Sequence, residues 1–149
     1  EAEGHTVYVL DSGWYSDRHE QAIGIAMSHP DDMCAYIACH LNAGGGNYSL
    51  ALHDYRSHGG EKLALAVAAG MSTRISEIER NLVRAASPDD WSNAYNTIKG
   101  IYAGPGNLSG VCFEPVFMDN IEHQALLTPE GLRLLGQILA ESCIAWGTG

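Results

Sequence analysis

An α/β sheet covered by helices on both faces is the fold class this sequence predicts, and three observations carry the prediction. Short apolar runs bounded by Gly, Pro and Asp alternate with longer amphipathic stretches. Two of those runs carry a chemically competent side chain at or near their ends, His40 and Glu114. The last stretch has the start signals and the apolar stripe of a helix. At 149 residues and 46% hydrophobic content, the chain suits one domain with one core, taken as residues 1–149.

The elements follow in order. Thr6-Val7-Tyr8-Val9-Leu10 is β-branched and aromatic, hence a strand stopped by Asp11-Ser12-Gly13. Ser16-Asp17 can cap a helix running to about Ser28. Cys34-Ala35-Tyr36-Ile37-Ala38-Cys39, between Pro30-Asp31-Asp32 and the Gly44-Gly45-Gly46 cluster, reads as a buried strand. Tyr48 to His53 alternates like another strand, and Glu61 to Met71 places Leu63, Ala66, Val67 and Met71 on one helical face. A further helix is expected over Ile75 to Ala86, and Ser87-Pro88-Asp89-Asp90-Trp91 is a helix-entry signal. Ala103-Gly104-Pro105-Gly106 is a loop before an apolar strand from Gly110 to Phe117. Thr128 caps the final helix, Pro129 takes its first position, and Leu132, Leu135, Leu139, Cys143 and Trp146 form its core-facing stripe.

Charge and cysteines narrow the function. Eight Lys and Arg against 18 Asp and Glu give a formal charge of −10, which disfavours nucleic-acid backbones and anionic membrane surfaces as partners. No apolar stretch approaches the roughly 18 residues of a membrane span, and the first residues lack the order of a signal peptide. Cys34, Cys39, Cys112 and Cys143 show no Cys-x-x-Cys spacing and read as buried, reduced thiols. Gly44-Gly45-Gly46 matches neither phosphate-binding fingerprint, because no Lys-Ser/Thr follows it.

His40 ends one apolar run, and a single imidazole at a strand tip is a natural metal-ligand position; the alternative is a core histidine satisfied by a carbonyl. Cys39 is excluded as its co-ligand, because successive side chains on a strand point to opposite faces. Glu114 lies inside the other run. A buried carboxylate is protonated, paired, or beside a cation, so Glu114 is either a general acid/base or half of a structural ion pair.

These two segments carry a resemblance. Ile37-Ala38-Cys39-His40-Leu41-Asn42-Ala43, the stretch Gly110 to Asn120 with Glu114 and its Phe-x-Asp-Asn turn, and Gly4-His5-Thr6-Val7-Tyr8-Val9 are together similar to the zinc-dependent N-acetylmuramoyl-L-alanine amidases of the amidase-3 type. These are the catalytic domains of bacterial cell-wall amidases and phage endolysins. The resemblance implies a mixed, largely parallel sheet flanked by helices, and one zinc ion held by two histidines and a glutamate. It implies hydrolysis of the amide between N-acetylmuramic acid and L-alanine, at the cell wall. By position, His40 would be the last zinc ligand and Glu114 the catalytic carboxylate, with Asn42 and Asn120 flanking as substrate-binding candidates. The family's first histidine and its glutamate ligand precede the position of Gly4, so they have no counterpart here, and Glu1 and Glu3 are poorly placed to replace the glutamate. His53 is the best substitute ligand within the chain. His19, His29, His58 and His123 read as solvent-exposed side chains. A second chain or copy could complete the sheet and the metal site. The competing reading is a noncatalytic cell-wall-binding or regulatory module with an incomplete metal site.

Overall fold

The computed structural model describes residues 4–89 and 93–149. Its centre is a four-stranded mixed sheet of β1 (Cys34–Cys39), β2 (Tyr48–Asp54), β3 (Arg80–Ala86) and β4 (Leu108–Glu114), in the spatial order β1-β4-β2-β3. β1 pairs parallel with β4 and β2 parallel with β3, while β2 and β4 are antiparallel. Strand alternation divides the residues between two layers. Ala51, Val111 and Phe113 pack on Leu63, Val67 and Met71 of α2 (His58–Arg74) and on Leu135 and Ile138 of α3 (Pro129–Thr148). Tyr36, Ala38, Leu52 and Cys112 face the other way, toward Ala22 of α1 (Tyr15–Ser28) and toward Ile98 and Ile101 of the irregular segment before β4. The α/β class with helices on both faces is therefore the observed one. No helix among the described residues is long and apolar enough to cross a membrane.

The helix ends follow local chemistry. Ser57 caps α2 by accepting from the Gly60 N–H at 3.0 Å, and Thr128 caps α3 by accepting from the Gly131 N–H at 3.2 Å, with Pro129 at the first position. α1 begins at Tyr15, and its first turn is held by Asp17, whose carboxylate accepts the Trp14 N–H at 2.7 Å.

Several expectations are corrected. Residues 75–86 are not a helix: Ile75 and Ile78 are buried anchors beneath α2, and the chain then enters β3 at the sheet edge. The apolar spacing there imitates a helical stripe, but seven paired positions along β2 decide the outcome. Thr6 to Leu10 is not a strand, because no neighbour pairs with it among the described residues, and Val7 and Val9 are 74% and 80% exposed. The strand carrying Glu114 stops at that residue instead of continuing to Phe117. Leu132 is largely exposed, and α3 buries Gly131, Leu135, Ile138 and Ser142. All four thiols are free, but Cys39 is exposed. His19 and His123 are buried, not solvent-facing. Asp90 and Trp91 of the helix-entry signal, and Glu1 and Glu3, lie outside the described residues.

Candidate functional site

The carboxyl ends of β1 and β4 are neighbours, and that pairing builds the site. Cys39 is in register with Phe113, and the His40 N–H donates to the Phe113 carbonyl at 2.9 Å, extending the ladder by one residue. His40 therefore stands beside Glu114 at strand spacing, about 4.8 Å between backbones. Cys39 and Phe113 occupy the α2–α3 side, so alternation turns His40 and Glu114 together toward α1. Beyond them, the Asn42 N–H donates to the Val116 carbonyl and the Met118 N–H to the Asn42 carbonyl, both at 2.9 Å, which ties the two exits side by side.

His40 is half-buried, with its Nε2 3.2 Å from the Tyr15 hydroxyl of α1. Burial, and then the nearby Arg18 guanidinium, push its pKa below the ordinary imidazole value, so the neutral ring is favoured. With Nε2–H donating to Tyr15, the Nδ1 lone pair is available, and Nδ1 has no partner among the described residues. Glu114 is also half-buried, and desolvation raises its pKa. No hydrogen bond or ion pair reaches its carboxylate among the described residues, so the structural ion pair is not formed there. A desolvated, unpaired carboxylate with raised proton affinity has the properties of a general base or acid.

The remaining candidates are placed differently. Asn42 Oδ1 accepts the Ala43 N–H at 2.9 Å, and Asn120 accepts the Glu122 N–H and donates to the Gly46 carbonyl, both at 2.8 Å. Both side chains thus shape the rim through backbone contacts. His53 is not brought to His40 and Glu114: it is buried on the α2–α3 side of the sheet, in register with Val111, with Nδ1 3.0 Å from the Asp54 carbonyl oxygen.

A rim clamp escaped the sequence reading. Asp119 accepts the Gly44 and Gly45 N–H groups at 2.8 and 3.1 Å, and those bonds hold its carboxyl below the usual carboxylate range. His123 is fully enclosed: Nδ1 accepts the Phe117 N–H at 2.9 Å, which leaves Nε2–H to donate to Asn47 Oδ1 at 3.0 Å. Gly46 is required by packing, since a Cβ there would come within 2.5 Å of the Phe117 ring. The Gly44–Gly46 cluster is thereby fastened to the turn after β4.

No group of three His, Cys, Asp or Glu among the described residues could hold a metal ion. His40 and Glu114 supply one imidazole and one carboxylate, short of the three protein ligands of a catalytic zinc site. Comparison with known protein families, with characterised proteins and with solved structures returns no match.

Proposed function

We propose that this chain belongs to a peptidoglycan hydrolase that cleaves the amide between N-acetylmuramic acid and L-alanine. The supporting observation is the pairing of β1 with β4, which sets a neutral imidazole and an unpaired, half-buried carboxylate side by side at one end of the sheet. Glu114 is the proton acceptor for the attacking water and then the donor to the leaving amine, and its raised proton affinity suits it to both. Among the described residues His40 is the one proposed zinc ligand, so a working zinc centre needs ligands from outside them, for instance from a second chain or copy. Peptidoglycan is the partner, and the cell wall is the place of action.

The absence of a three-ligand cluster among the described residues favours a second reading, a cell-wall-binding or regulatory module that does not hydrolyse. One experiment separates the two. The protein is incubated with purified peptidoglycan and zinc, and free α-amino groups of L-alanine are counted alongside co-sedimentation. New amino groups that vanish with Glu114→Gln support the amidase. Sedimentation without new amino groups supports the binding module, and the absence of both sedimentation and new amino groups would sink both readings.

A further inference from the structure

The opposite end of the sheet holds a cavity of about 170 Å3, where β2 leaves at Asp54 and β4 enters at Leu108, beneath the first turn of α2. From this cavity we infer a binding site for a small oxyanionic headgroup, a phosphate or a carboxylate, held by α2, Ser109 and Arg56. The inference is independent of the proposed hydrolysis.

The first turn of α2 supplies donors. Ser57 satisfies the Gly60 N–H, while the His58 and Gly59 N–H groups have no acceptor among the described residues, at the positive end of a 17-residue helix. A helix start alone would not make a site. The second observation is Ser109, which is 6% exposed and whose hydroxyl has no hydrogen-bond partner among the described residues. No fully enclosed side-chain N or O atom there lacks a partner, so the unpaired Ser109 hydroxyl opens onto the cavity it lines. It lies against Gly59, where an added Cβ would collide with the Ser109 Oγ, and the missing side chain lets helix and strand approach.

Arg56 completes the donor set. Its Nε and Nη2 grip Asp54 at 2.9 and 2.7 Å, and its guanidinium lies 4.1 Å from the centre of the Tyr102 ring, leaving Nη1 without an acceptor among the described residues. Asp54 also lines the cavity, but its charge is committed to Arg56 and it accepts from the Tyr95 hydroxyl at 3.3 Å. The free donors at the cavity therefore include two backbone N–H groups, one hydroxyl and one guanidinium nitrogen. The volume accommodates a tetrahedral group of five heavy atoms with residual water. The formal charge of −10 opposes anions at long range, but salt screens it beyond roughly 8–10 Å.

The test is a titration with inorganic phosphate at constant ionic strength, followed by amide chemical shifts in the 15N-labelled protein. Saturable shifts at His58 and Gly59 are expected, weakened about tenfold by Ser109→Ala, a change that removes no existing hydrogen bond. Competition by acetate would assign the site to carboxylates as well; indifference to acetate would restrict it to phosphate. Non-saturating shifts, shifts confined to other residues, or equal binding by Ser109→Ala would overturn the inference.

Discussion

In the proposed reaction Glu114 is a residue that costs stability and supplies chemistry. Burial raises its pKa, so the folded chain holds the proton more tightly than the unfolded chain, and stability falls as pH rises through the carboxylate range. Glu114→Gln should therefore melt at a higher temperature than the parent at pH 7, with the gap closing in acid, while amide hydrolysis drops by about 10²–10⁴-fold. A lower melting temperature at pH 7 would identify the carboxylate as a structural anchor. Asp54 has the reverse sign. Burial alone would raise its carboxyl, but the Arg56 bonds outweigh it and hold it below the usual range, so this pair stabilises above the ordinary Asp pKa and fades as pH falls. Arg56→Ala should lower stability at pH 7, and by less as pH falls below about 4 and Asp54 becomes protonated, as read by denaturant titration. His40 and Glu114 were legible because an apolar run marks where a strand ends. His123 was not, because its partner Asn47 lies 76 residues away in sequence.

Elements with strong local signals matched the sequence, and those decided by a pairing partner did not. The cap Thr128 adjoins the first turn of the helix it opens, so its signal is local. β3 exists because β2 offers it an edge, and Thr6 to Leu10 is unpaired because no strand among the described residues does the same. The rim of the candidate site is likewise a contact between distant segments, the glycine loop and the turn after β4. His123→Ala would strand the Phe117 N–H, remove one of the two donors to Asn47 Oδ1 and open a hole, costing about 3 kcal/mol. The same variant should speed amide exchange at Gly44 and Gly45 more than within β4, and uniform acceleration would contradict the clamp.

Across the whole molecule, several large apolar side chains are left exposed. Val7, Val9 and Trp14 are 74%, 80% and 82% exposed, and β1 is an edge strand. Edges and apolar patches of this kind promote association. The chain should therefore self-associate or capture a strand from elsewhere, and paired Val7→Lys and Val9→Lys substitutions should shift it toward monomer in light scattering. A monodisperse monomer before substitution would refute this. The antiparallel junction of β2 with β4 has a separate consequence. It gives the sheet carboxyl ends at both poles, with Ser109 and Glu114 five residues apart on β4 and facing opposite sides, about 17 Å along the strand. A rigid spacer of that length lets each pole work without crowding the other, so a phosphate held at one end should leave the apparent substrate affinity at the other unaltered.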